Sequence, residues 1–186
     1  MKVTKTKLAG ALVFEPKVFG DARGFFMETW NYQRYRDAGL DVKFVQSNLS
    51  KSAKGVLRGL HFQNPNPQGK LVQILTGEVF DVAVDIRVGS PTFGQWHGEF
   101  LSGDNHTQFY IPEGFAHGFC VTSETAIFSY MCTNFYDAKA DNSLLWNDPK
   151  IDIKWPISTP SLSEKDANAI SLDAFNPEKL PQYIVK

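Results

Sequence analysis

The stretch TGEVFDVAVDI, Thr76–Ile86, carries the reading of the fold. Val79, Asp81, Ala83 and Asp85 fall on one side of an extended chain, and Phe80, Val82, Val84 and Ile86 on the other, because successive side chains of a strand point to opposite faces. Alternation this strict predicts a β-strand rather than a helix. The rhythm continues outward from it. Turn signals at Thr76-Gly77, Gly89-Ser90-Pro91, Ser102-Gly103-Asp104-Asn105 and Pro112-Glu113-Gly114 recur at roughly the 8–12-residue spacing of an all-β sandwich or barrel. A short helix is expected over Tyr32–Ala38, ended by Gly39, and a helix start at Ser163-Glu-Lys-Asp166, where cap and stop residues stand in order. The expectation is an all-β jelly-roll barrel with short peripheral helices. With no linker, repeat or low-complexity tract, 1–186 reads as one domain.

Composition narrows the function. Of 186 residues, 42% are hydrophobic and 13% aromatic, with 15 phenylalanines, a globular composition. The net charge of −1 provides no field to collect nucleic acid or a membrane surface, so a polyanionic ligand must be held by a few local basic residues. The start, MKVTKTKLAGALVFEP, has a short basic run without the apolar core of a signal peptide. No apolar run approaches the ~20 residues of a membrane span. A cytoplasmic location is expected. The two cysteines, Cys120 and Cys132, lie in apolar runs without a C-x-x-C spacing and read as reduced, half-buried strand residues.

Chemistry concentrates in LRGLHFQNPNPQGKLVQ (Leu57–Gln73) and PEGFAHGF (Pro112–Phe119). The second has the form P-x-G-x-x-H and resembles the second motif of the cupin barrels. Metal-binding cupins supply an H-x-H pair and a carboxylate in their first motif, and a divalent ion needs three or four converging ligands. Here the first region offers His61 alone. The next such position is the amide Gln63, no Asp or Glu follows before Glu78, and His97 and His106 have no ligand-like spacing. The expectation is a cupin-type barrel, without a metal, that works through side chains. A strand histidine is a proton-transfer group near neutral pH. Asp166 is available either to orient His61 or to cap a helix. Tyr130 and Tyr136, six residues apart, share a face if the run between them is one extended strand.

Seven stretches in order resemble the dTDP-4-dehydrorhamnose 3,5-epimerase family: Phe19–Trp30, Phe44–Gln63, Gln68–Arg87, Tyr110–Phe119, the Tyr130/Tyr136 pair, Ser143–Pro149 and Leu162–Ala167. The resemblance implies an isomerase that needs neither metal nor redox cofactor. Its substrate class is a dTDP-linked 4-keto-6-deoxyhexose, whose C4 carbonyl acidifies the hydrogens on C3 and C5. It implies His61 as base with Asp166 as partner, Tyr130 as the acid on the opposite face, and Lys70 at the enolate oxygen. Arg58 and His117 are implied beside the sugar. For the nucleotide it implies Arg23, Arg58 and Lys165 at the diphosphate, Glu28, Gln46 and Asn48 at base and ribose, and Phe19, Phe26 and Tyr136 as stacking surface. In the family the N-terminal segment crosses to a partner subunit, so a homodimer completed by Arg23 and Phe26 is expected. The choice of Tyr130 over Tyr136 as acid rests on the resemblance, not on spacing.

This chain departs from the family pattern in three places. The loop from His61 to Lys70 is one residue shorter than in many relatives and carries Pro65 and Pro67, Ser47 stands where Asp is common, and Asp141 stands near where Glu is common. Competing readings are a 3- or 5-mono-epimerase or 3,4-ketoisomerase with nearly the same catalytic set, a sugar-nucleotide binding module, and a metal-dependent cupin.

Overall fold

The computed structural model describes residues 1–184. Strands β1 (Lys2–Lys5), β2 (Leu12–Glu15), β3 (Val18–Asp21) and β4 (Gly24–Met27) precede helix α1 (Tyr32–Asp37). There follow β5 (Gln46–Ala53), β6 (Leu57–Gln63), β7 (Lys70–Thr76), β8 (Glu78–Asp85), β9 (Trp96–Ser102), β10 (Gln108–Ile111), β11 (Phe115–Val121), β12 (Thr125–Cys132) and β13 (Asp141–Ser143). Helix α2 (Glu164–Ala167) comes late, before two short 3-10 turns. One sheet has the order β1-β2-β10-β7-β12-β5, a second β13-β6-β11-β8-β9, and β3-β4 is a separate hairpin. Every pairing between these strands is antiparallel. Strands adjacent in a sheet are mostly not adjacent in sequence, as in a jelly roll.

The opening stretch becomes β8, and both of its faces are buried. Val79 and Ala83 join Val72, Leu101, Phe109, Phe119 and Phe128 in the core between the sheets. Phe80, Val82, Val84 and Ile86 face outward, where Leu144, Ile151, Ile153, Leu172 and Leu180 of the C-terminal third cover them. That cover explains why the stretch is apolar on one side and still largely apolar on the other. A third cluster, Phe14, Tyr35, Leu40, Leu71 and Tyr110, lies where α1 packs on the outside of the first sheet.

Helix α1 ends as its sequence predicts. Asn31 caps it by accepting from the Arg34 N–H, and Gly39 follows at φ 99°, a conformation that costs glycine little. At α2 the cap is Ser163, whose hydroxyl accepts from the Asp166 N–H; Asp166 lies inside the helix and its carboxylate is free for another role. Two sequence expectations need correction. Cys120 and Cys132 are free thiols but fully buried rather than half-buried. The run through Tyr130 and Tyr136 is not one strand: β12 stops at Cys132, and Tyr136 lies in the connection to β13. Parity arguments therefore do not reach Tyr136.

Candidate active site

Residues directly opposite each other on antiparallel strands share a face, and the register shows which side chains enter the space between the sheets. His61 is opposite His117, which is opposite Ala83 of the inner core. Lys70 is opposite Ile111 and Cys132. Tyr130 is opposite Val72 and Asn48. All of these side chains point inward. Arg58, three residues before His61, belongs on the other face by simple alternation. The β6–β11 register shifts between His117 and Phe119, so Arg58 pairs with the inward Phe119. A bulge of this kind re-aims side chains. Gly59 makes it possible: at φ 129°, an added Cβ would lie 2.5 Å from the Gly118 Cα. Arg58 and His61 therefore line one cavity of about 250 Å³ together with Lys165 and Asp166.

The central contact is His61 Nε2 to Asp166 Oδ1 at 2.6 Å, with the imidazole 36% exposed and the carboxylate 3%. Burial works to raise the Asp166 pKa, but hydrogen bonds from His61, Ser163 and the Gly59 N–H outweigh it and hold the group below the usual carboxylate range. An ionised carboxylate only accepts, so Nε2–H donates, and Nδ1 is left as the nitrogen able to take a proton. On the facing sheet, burial raises the Tyr130 hydroxyl above its ordinary 10.0, reinforced by Cys132 and opposed by the Arg58 charge. It remains an O–H donor at neutral pH. Lys70, 9% exposed, has its pKa lowered by burial, and the charges of Cys132, Asp141 and Asp81 counter this only in part.

Asp81 is the residue that sequence reasoning passed over. It is fully buried, and His117 Nε2 donates to its two oxygens at 3.0 and 2.9 Å. Burial pushes its pKa up, while His117 and Lys70 pull it down. The available signal was the opening stretch itself, which sets one carboxylate among Val79 and Ala83 on the inner face.

The remaining sequence-predicted residues separate into two groups. Asp141 accepts from Lys165 Nζ at 2.5 Å and from the Tyr136 hydroxyl at 3.0 Å. Gln46 donates to Asn48 at 3.0 Å and accepts from the Tyr136 N–H at 2.9 Å. These lie at the same site. Arg23, Phe19 and Phe26 do not: they sit on the exposed β3-β4 hairpin outside both sheets, and the Arg23 side chain, 90% exposed, pairs with Asp21. Glu28 pairs with Arg34 and, with Phe19, lines a separate pocket beside α1. Among the described residues, no three His, Cys, Asp or Glu side chains converge as metal ligands.

The inner faces of the two sheets thus carry a carboxylate-held histidine, a half-buried tyrosine and a buried lysine, groups able to give and take protons. The fold is a cupin-type jelly roll. Sequence comparison refines this: the pattern of the dTDP-4-dehydrorhamnose 3,5-epimerase family matches residues 5–174, and the chain belongs to that family. It is 58% identical over 170 residues to a dTDP-4-dehydrorhamnose 3,5-epimerase of Shigella flexneri, covering 90% of this chain and 94% of the relative. The crystal structure of the Legionella pneumophila dTDP-6-deoxy-D-glucose-3,5-epimerase in complex with dTDP-4-keto-L-rhamnose superposes with a TM-score of 0.96 at 50% identity, covering 99% of both chains. A dTDP-4-dehydrorhamnose 3-epimerase of Streptomyces niveus is 38% identical over 186 residues, 98% of this chain and 90% of the relative.

Proposed function

We propose that this chain epimerises C3 and C5 of dTDP-4-keto-6-deoxy-D-glucose to give dTDP-4-keto-L-rhamnose. The observation that carries the reading is the His61–Asp166 pair on the inner face of one sheet, with Tyr130 and the buried Lys70 on the inner face of the other. His61 Nδ1 takes the proton from the carbon next to the C4 carbonyl. The electron pair moves into an enolate whose oxygen the Lys70 ammonium stabilises, an interaction that strengthens as charge develops. Tyr130 returns a proton to the opposite face, and solvent restores both groups before the second carbon reacts. Asp166 holds the imidazole in the required tautomer and stabilises the imidazolium.

Arg58 and Lys165 are the phosphate ligands available in the same cavity, and Gln46, Asn48, Asp141 and Tyr136 surround the nucleotide side. The exposed Arg23, Phe19 and Phe26 suit a homodimer in which each hairpin completes the neighbour's site. The chain acts in this reading as one domain of 1–186, in the cytoplasm. The relative named as a 3-epimerase favours a second reading, reaction at one carbon alone, with the same base and acid. One experiment separates them: incubation with dTDP-4-keto-6-deoxyglucose in deuterated water, followed by NMR, with His61→Ala as control. Deuterium at both C3 and C5, absent in the variant, is expected. Deuterium at one carbon establishes the mono-epimerase, and no exchange at either overturns the assignment.

A further inference from the structure

We propose that Gln63 is a positioning residue for substrate binding: its buried side-chain amide substitutes for a strand peptide group and grips the chain on both sides of Tyr136. The inference rests on the function proposed above, in which Tyr136 touches the sugar nucleotide.

Gln63 is the last residue of β6, two beyond His61 on the same inward face, and it is 4% exposed. A buried amide without partners is costly, so what it bonds explains why it is there. Its Nε2 donates to the Phe135 carbonyl at 3.0 Å and to the Asn66 carbonyl, and its Oε1 accepts from the Asp137 N–H at 2.9 Å. One amide thus takes the C=O before Tyr136 and the N–H after it, the pair that a neighbouring strand would bond. The peptide between them is also held, since the Tyr136 N–H donates to Gln46 Oε1 at 2.9 Å. A third glutamine, Gln68, bonds the Asn134 carbonyl at 2.9 Å.

The ring of Tyr136 has the opposite character. Tyr136 is 58% exposed, and its hydroxyl meets Asp141, which also holds Lys165. Apolar packing therefore does not fix the ring; the glutamine clamp holds the backbone that carries it, and Asp141 takes its hydroxyl. A rigid backbone beneath an open aromatic face reduces the entropy lost when a ligand stacks on it. Strand β12 ended at Cys132, so the clamp replaces the sheet that Tyr136 has left. The bond to Asn66 ties the same amide to the loop that leads into Lys70, so one side chain joins that loop to the segment carrying Tyr136.

The test is a double-mutant cycle read by the deuterium-exchange assay, with KM and kcat measured for wild type, Gln63→Leu, Tyr136→Ala and the double variant. Leucine keeps the volume and removes every bond. The expected result is a KM raised about tenfold in Gln63→Leu, the effect of losing one or two hydrogen bonds, with kcat within about twofold. Tyr136→Ala should raise KM comparably, and the double variant should bind no worse than Tyr136→Ala alone, because coupled residues are not additive. If Gln63→Leu does not fold, Gln63→Glu takes its place, keeping shape and acceptor but losing the donor. An unchanged KM, a loss confined to kcat, or additive effects in the double variant would overturn the proposal while the function stands. A wild type that shows no exchange overturns the function itself, and the proposal with it.

Discussion

Replacing Asp166 tests the core of the mechanism, because the structure predicts an order among variants as well as a size. In the wild type the carboxylate accepts from His61 Nε2 at 2.6 Å. When, in the proposed reaction, the imidazole takes a proton from substrate, that contact becomes an ion pair. Charge centres about 4 Å apart at an effective dielectric near 20 attract by about 4 kcal/mol. The imidazole is 36% exposed, which returns part of this to solvent and leaves about 2–4 kcal/mol, or roughly 30- to 1000-fold in kcat. Asp166→Asn loses this attraction and adds a second fault. The new amide donates to Nε2, so the proton resides on Nδ1, where the base must be free. Asp166→Ala loses the charge but leaves the tautomer free to exchange. Asp166→Asn should therefore be slower than Asp166→Ala, both measured as initial deuterium incorporation at saturating substrate. If Asp166→Asn retains activity within about threefold of wild type, or outpaces Asp166→Ala, the orienting role of the carboxylate is wrong.

Tyr130→Phe removes the proposed acid and keeps the packing against Phe128, at 5.7 Å between rings; kcat should fall about 10²- to 10⁴-fold with little change in thermal stability. Burial lowers the Lys70 pKa from its ordinary 10.5, so the charged form that the proposed enolate stabilisation needs is lost at lower pH than in an ordinary lysine. The kcat profile should show an alkaline limb below the ordinary lysine range, and Lys70→Arg, slower but always charged, should lack it; a limb that persists in Lys70→Arg assigns it elsewhere. Gly59→Ala must hold φ 129° with its Cβ 2.5 Å from the Gly118 Cα. A destabilisation of about 2–4 kcal/mol is expected, seen in calorimetry as a fall in Tm of roughly 5–15 °C.

Local pattern determined much of this protein. The alternation of Thr76–Ile86 specified a strand, the punctuation around it specified a barrel, and Asn31, Gly39 and Ser163 marked where helices begin and end, because each of these depends on a few neighbouring backbone groups. The family motifs placed His61, Lys70, Tyr130 and Asp166 along the chain. Only the tertiary structure decided how they meet. A period of two tells which side chains share a face, not which face is inside, and it does not survive a bulge; the register shift opposite Gly118 turns Arg58 inward beside His61. Asp81 found His117 only through the β8–β11 pairing. Tyr136 left the strand that its spacing suggested, because β12 stops at Cys132 and glutamine amides take over its backbone bonds. The lowered Lys70 pKa arises from burial by strands distant in sequence. Cross-strand register and desolvation are sums over non-local contacts, and no window of the sequence contains them.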